Sequence, residues 1–301
     1  MQPHTQEILA DEETGTPALQ QQEAPFRKGN PHRVLEPGPY GAYSARGMYY
    51  EIAGTGQPLF LIHGFGMSGH VLADKFNLLK RHYRVIVPDL RGHGRSQHLA
   101  APHSIEELAD DLLALADELA LGRFNVMGYS MGGMVSQALA LKAPERVERL
   151  VLGGTTACKR KTWFEKFSAL VGFVVIWLVG PRVMSWFNHP VFTGGQNVDR
   201  SHLRYLRKVL QNQRRRQLSR TVRAIFRWDS REKISALHTP TLIFHGEKDT
   251  LMRVFHAHDL KNRLPNAQLI TFPEAGHPLI HTHSQEITQL AREFLQTPRR
   301  N

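Results

Sequence analysis

Ser130 stands in Gly128-Tyr129-Ser130-Met131-Gly132, a G-x-S-x-G pentapeptide. A serine hydroxyl is a weak nucleophile at neutral pH and needs a base to take its proton. The pentapeptide follows the apolar run Phe124 to Met127 and opens a helical pattern at Met131. Strand, sharp turn and helix in that order expose a serine above a helix N-terminus, where the dipole favours developing negative charge. The base is expected at His277, in Gly276-His277-Pro278, just after the last strand-like run and before the last helical pattern. The acid is expected at Asp249, in the His245-Gly246-Glu247-Lys248-Asp249 stretch that follows the run Thr241 to Phe244. Glu247 is the competing carboxylate, read as facing solvent or capping the loop. A carboxylate in this role holds the imidazole in the useful tautomer and stabilises its protonated form. The chemistry on offer is acyl transfer through a serine ester.

Acyl transfer also needs two backbone N–H donors for the oxyanion. One is assigned to Met131, the residue after the nucleophile, and the other to Phe65 in the loop His63-Gly64-Phe65-Gly66. His63 is read as a brace for that loop. His256 and His258 are two residues apart, a spacing that does not converge on one helix face. No metal is expected, and the reaction needs no cofactor.

The elements that would carry these residues alternate. Tyr43 to Tyr50, broken by Gly47, reads as a hairpin. Short apolar runs at Leu59–Ile62, Val85–Val87, Phe124–Met127, Arg149–Leu152, Thr241–Phe244 and Gln268–Phe272 read as buried parallel strands. Between them, Ser104 is an expected N-cap with Glu107 completing a capping box. Leu108, Leu112, Leu115 and Leu119 follow at helical spacing, with Gly122 as the stop. Met134, Ala138 and Leu141 form the next helix, ending before Pro144, and Ile287, Leu290, Ala291 and Phe294 form the last. Such alternation predicts an α/β fold with a mostly parallel sheet and helices on both faces.

The 301 residues are 41 % hydrophobic, enough for a large core. The single cysteine, Cys158, excludes an internal disulfide and thiolate metal clusters, and fits a reducing, cytoplasmic setting. Met1 to Ala24 is polar and acidic, without the basic start and apolar run of a secretory signal, so residues 1–38 are expected to form a flexible tail.

The net charge of +11 is uneven. Thr155 through Lys233 holds 17 Lys and Arg against 4 Asp and Glu, a balance of +13, and the remainder of the chain sums to −2. The strand–helix alternation fails over about the same stretch. It reads as a helical cap inserted over the strand ends, with an aromatic, apolar part (Trp163, Phe164, Phe167, Leu170, Val171, Phe173 to Val179, Trp186, Phe187) and an arginine-rich part. The aromatic part is either cap core or an acyl pocket. Ala169 to Val179 is too short to span a bilayer and ends at Gly180-Pro181. The arginines read either as a solvated helix face or as attraction to an anionic membrane or acidic substrate. Nucleic acid is not an expected partner, since no recognised binding motif accompanies the charge.

Together, His63-Gly64-Phe65-Gly66, Asp89 through Ser96, the elbow at Ser130, Pro144 through Val147, Gly246 through Asp249 and Gly276-His277 resemble the α/β-hydrolase superfamily over roughly residues 40 to 298. The resemblance implies a core sheet of about eight strands and a cap inserted after the sixth. The body would comprise 39–155 and 236–301, and the cap 156–235. Asp89 to Ser96 is usually structural in that superfamily. Dehalogenases and epoxide hydrolases of the superfamily attack with aspartate at the elbow; Ser130 sets them aside. The expected activity is hydrolysis of a small-molecule carboxylic ester with an apolar acyl group, by Ser130, His277 and Asp249, as in serine esterases and lipases. Carbon–carbon bond, thioester or perhydrolase chemistry on the same residues is the alternative. A catalytically silent binding fold is the other, against which the complete Ser, His and Asp set argues.

Overall fold

A computed structural model of the chain describes residues 41–158 and 200–297, with Trp163, Val174 and Leu178 the described positions between them. The expected tail lies outside the described residues. So do Phe164, Phe167, Leu170, Val171, Phe173, Trp186 and Phe187 of the expected cap.

Eight strands form one sheet: β1 (Gly41–Tyr43), β2 (Tyr49–Ala53), β3 (Gln57–Ile62), β4 (Tyr83–Pro88), β5 (Phe124–Tyr129), β6 (Val147–Gly153), β7 (Thr241–Gly246) and β8 (Ala267–Phe272). Their order across the sheet is β1-β2-β4-β3-β5-β6-β7-β8. β1 and β2 pair antiparallel, β2 runs antiparallel to β4, and all other pairs are parallel. The apolar runs are strands because both faces are covered. On β3, Leu59 and Leu61 enter one core while Phe60 and Ile62 enter the other. The first of these cores is closed by α1 (Gly69–Lys75) and the C-terminal helix Ser284–Gln296. The second is closed by α2 (Ile105–Glu118), α3 (Met131–Lys142) and the helix Phe255–Arg263.

The parallel strands point their C-terminal ends to one side. β3 lies between β4 and β5, so the chain reverses its direction of winding there. Such a switch point opens a crevice beyond the strand ends. The loops after β3 and β5, carrying Phe65 and Ser130, flank that crevice.

Two helix ends differ from the sequence expectation. Ser104 does cap α2, its Oγ accepting the Glu107 N–H at 3.2 Å. The Glu107 carboxylate, however, accepts from the His103 N–H at 2.7 Å, one residue outside the cap, while its other oxygen accepts from Arg91 at 2.6 Å. The capping box is therefore half formed, because Arg91 competes for the carboxylate. α2 also stops at Glu118 rather than at Gly122. Ala120 takes the left-handed position at φ 51°, and the N–H groups of Ala120 and Leu121 bond back to Asp117 and Ala116. This is the paired C-terminal closure in which glycine is usual, here made by alanine.

The loop from Asp89 to Ser96 is held by buried charge. Arg95 Nε donates to Asp89 at 2.8 Å and Nη1 to Glu51 at 2.6 Å, and the guanidinium lies 4.0 Å over the Tyr49 ring. Asp89 also accepts the N–H of Gly69 and of Arg95, each at 2.7 Å. Burial pushes the Asp89 carboxyl up, but the Arg95 guanidinium outweighs it and holds it below its ordinary value. Arg95→Met is expected to destabilise the protein by about 3–5 kcal/mol at pH 7, because two buried carboxylates lose their cation. A carboxylate with a lowered folded pKa contributes stability above its unfolded value, about 3.9, and loses it as pH falls through the folded one. The difference between the two proteins should therefore shrink below about pH 4. Urea unfolding across pH measures both; a gap that stays constant into acid would refute the account.

Candidate active site

Ser130 sits between β5 and α3 with φ 55° and ψ −117°, a conformation rare for a residue with a side chain. The surroundings over-determine it. Its N–H donates to Gly153 O at 2.8 Å, and its carbonyl accepts from Gly133 N–H at 3.0 Å and Thr155 Oγ1 at 2.7 Å. The turn is also sterically closed. A Cβ on Gly132 would meet the carbonyl oxygens of Ile62 and His63, so strand and helix cross at a distance that only glycine allows.

His277, on the loop after β8, and Asp249, on the loop after β7, are brought to Ser130. His277 Nε2 lies 3.2 Å from Ser130 Oγ, and His277 Nδ1 lies 2.7 Å from Asp249 Oδ2. All three are buried. The other Asp249 oxygen accepts the N–H groups of Leu251 at 2.8 Å and Met252 at 2.7 Å. Burial pushes the Asp249 carboxyl up, but the adjoining His277, its hydrogen bond and His245 together hold it below the ordinary value. Asp249 is thus an ionised acceptor, and an imidazole facing it with Nδ1–H leaves Nε2 free to accept from Ser130. Glu247 lies outside this chain: it is exposed, and its carboxylate accepts from Thr271 Oγ1 at 2.7 Å.

The loop after β3 passes against the nucleophile, since a Cβ on Gly64 would stand 3.2 Å from Ser130 Cβ. Among the described residues, the N–H groups of Phe65 and Met131 donate no backbone hydrogen bond. His63 is fully buried; its Nδ1–H donates to Gly64 O at 2.8 Å and its Nε2 accepts the Leu90 N–H at 3.0 Å. It braces the loop, as its sequence context suggested. Burial pushes its pKa down, which keeps the ring neutral as this bonding requires. His256 is buried with Nδ1 2.8 Å from Thr156 Oγ1, while His258 is exposed. Among the described residues, no group of three or more His, Cys, Asp or Glu is placed to hold a metal ion.

Two neighbours escaped the sequence reading. Tyr129 lays its ring 5.5 Å from the His277 ring. His245 is fully buried, donates from Nε2 to Met252 O at 2.6 Å, and stands 3.8 Å from Asp249 Oδ2. His245 belongs to a strand whose residues are all buried, so no alternation marked it.

Two helices are described between β6 and β7, α4 (Arg200–Gln211) and α5 (Arg215–Arg227). Leu218 and Val222 of α5 form an apolar cluster with Phe65, Leu210 and Phe226, so this pair of helices lies on the loop after β3. On α5, Arg216, Arg220, Arg223 and Arg227 fall at i, i+4, i+7 and i+11, opposite the buried Leu218, Val222 and Ile225. Trp163, Val174 and Leu178 are 77 %, 40 % and 62 % exposed. No helix among the described residues is long and apolar enough to cross a membrane.

Residues 57–284 match the profile of the alpha/beta hydrolase fold family. Among curated proteins, a pimeloyl-[acyl-carrier protein] methyl ester esterase from Aliivibrio fischeri is 29 % identical over 266 residues, covering 82 % of this chain and 97 % of the relative. Among solved structures, the enol-lactonase from Burkholderia xenovorans is 25 % identical with a TM-score of 0.77, covering 85 % of this chain and 100 % of that one. A thermophilic esterase from Thermogutta terrifontis is 28 % identical with a TM-score of 0.70, covering 84 % and 95 %.

Proposed function

The chain belongs to the alpha/beta hydrolase fold family, and from that premise we propose that it is a serine hydrolase cleaving a small-molecule carboxylic ester with an apolar acyl group. The body would comprise 39–155 and 236–301, and the cap 156–235. The relatives that act on esters and an enol-lactone support this class of substrate. The observation that carries the reading is the hydrogen-bonded series Ser130–His277–Asp249, set at 3.2 and 2.7 Å on a strained turn.

Ser130 Oγ attacks the ester carbonyl while His277 Nε2 takes its proton. The N–H groups of Phe65 and Met131 hold the oxyanion, aided by the α3 dipole. Collapse expels the alcohol, which leaves with the proton from His277, and the acyl group stays on Ser130. Water then gives a proton to His277 and attacks the acyl carbonyl, and the acid departs as Ser130 is restored. Asp249 stabilises the imidazolium at both steps. A fluorophosphonate probe tests the reading: one covalent adduct, on Ser130, is expected, and a native protein that stays unlabelled would refute it.

The cap carries a second part of the reading. The arginine stripe on α5 and the exposed Trp163, Val174 and Leu178 suit peripheral contact with an anionic membrane, in a cytoplasmic setting compatible with a single cysteine, Cys158. Each Lys or Arg near an anionic leaflet contributes about 1 kcal/mol, and apolar side chains add shallow burial. Sedimentation with phosphatidylserine-containing vesicles should show binding in about 0.01 M salt. That binding should weaken steeply by about 1 M, as the Debye length falls from about 30 to about 3 Å. Equal, negligible sedimentation with anionic and neutral vesicles at low salt would leave the arginines as a solvated face.

A further inference from the structure

Both ends of the Gln217 amide, on α5, are engaged, and these partners lie in the body of the protein. Its Oε1 accepts the Ala101 N–H at 2.7 Å, and its Nε2 donates to Leu99 O at 2.8 Å and to Gln97 O at 3.2 Å. Three backbone groups of one loop, 97–101, are thus clamped by one side chain 116 to 120 residues away. The contact is close as well as polar, since a Cβ on Gly92 would stand 3.7 Å from Gln217 Cβ. Gln217 therefore fixes where α5 rests on the body.

What α5 rests on gives that clamp a consequence. Leu218, next to Gln217, and Val222, one turn beyond, pack with Leu210 against Phe65. The His93 ring also meets the Phe65 ring edge-on at 6.1 Å. Gly66, at φ 69°, has Leu210 so close that a Cβ there would come within 2.9 Å of its Cδ1. The backbone around the Phe65 N–H is flexible by sequence, being flanked by Gly64 and Gly66, and is held by the rings and methyls around it.

We propose that Gln217 is a positioning residue for the oxyanion site: by clamping α5 to loop 97–101 it presses Leu218 and Val222 onto Phe65 and so fixes the direction of the Phe65 N–H. The inference rests on the serine hydrolase reading. It makes no contact with substrate part of the role. An oxyanion donor acts through its direction toward a charge that appears only in the transition state. A loosened clamp therefore weakens transition-state binding more than ground-state binding.

The test uses the full chain, with Gln217→Leu, which removes all three bonds, and Gln217→Glu, which keeps the shape and the Ala101 bond but sets a carboxylate against two carbonyls. Rates are expressed per Ser130 titrated by the fluorophosphonate, so that unfolded molecules do not count. Loss of a whole oxyanion donor lowers turnover by about 10²- to 10³-fold, and a misdirected one should lower it by about tenfold or more. Both variants should show that fall in kcat/KM for p-nitrophenyl acetate and in the rate constant for phosphonylation. Affinity for phenylboronic acid, a tetrahedral mimic, should fall in parallel, while inhibition by phenylacetamide, a ground-state mimic, stays within about twofold. If Gln217→Leu does not fold, Gln217→Glu carries the same expectation. Unchanged phosphonylation per site, or equal losses for the boronate and the amide, would overturn the proposal while leaving the hydrolase reading intact. Wild-type protein that does not label would overturn that reading and this inference with it.

Discussion

Ser130→Ala is expected to lower ester hydrolysis by on the order of 10⁴- to 10⁶-fold and to abolish fluorophosphonate labelling, with the fold unchanged. The size follows from chemistry, since without Oγ no acyl-enzyme can form, and only a positioned water and the oxyanion amides remain. The unchanged fold follows from structure. Ser130 Oγ caps no helix and has His277 as its hydrogen-bond partner, while the strained backbone is held by bonds from the Ser130 N–H and carbonyl, which alanine keeps. Activity, probe labelling and urea unfolding of the same preparation check it. Full-strength labelling of the variant would mean that another residue is the nucleophile.

Asp249→Asn is expected to cost about 10⁴-fold, against little change for Glu247→Gln. The two N–H groups of Leu251 and Met252 decide the asparagine's orientation. They bond Oδ1 at 2.8 and 2.7 Å, so the carbonyl oxygen of asparagine must stay there and its NH₂ must face His277 Nδ1. A donor facing Nδ1 selects the tautomer with the proton on Nε2, which cannot accept from Ser130. Glu247 meets Thr271 at the surface and touches none of this. Steady-state rates of both variants with one ester settle the assignment. A larger loss in Glu247→Gln would transfer the role to that residue.

That Ser130, Asp249 and His277 come together was legible because all three sit at the ends of buried parallel strands, and such strands announce themselves as short apolar runs closed by Gly or Pro. Ser130, Asp249 and His277 each follow one within a few residues. Local competition was not legible in the same way. Glu107 sits where a capping box wants it, but Arg91, sixteen residues away in sequence, takes part of its carboxylate. Gly122 has the residue type of a helix stop, yet Ala120 carries the left-handed turn, because the bonds to Asp117 and Ala116 hold it there. α1 was missed, since Gly69 through Lys75 has neither a side-chain cap nor a long apolar period. Gln217 is the extreme case: a polar residue among arginines, whose three partners are over a hundred residues away. His245 stayed hidden for the opposite reason, in a strand buried on both faces.

The hydrogen bond between His277 and Ser130 closes a loop of 147 residues, whereas that between His277 and Asp249 closes one of 28. On a ribosome the chain emerges from its N-terminus, at about 5–20 residues per second. Ser130 thus exists for roughly seven to thirty seconds before His277 has been made. Through that interval β5 and its turn can form, but the hydroxyl faces no imidazole, and β8 has no chain from which to form. On the proposed mechanism the nascent chain carries a serine without its base, and so only a weak nucleophile. Reactivity therefore arrives late, when the loop after β8 brings His277 to Ser130, with the core-closing helix Ser284–Gln296 the element still to be made.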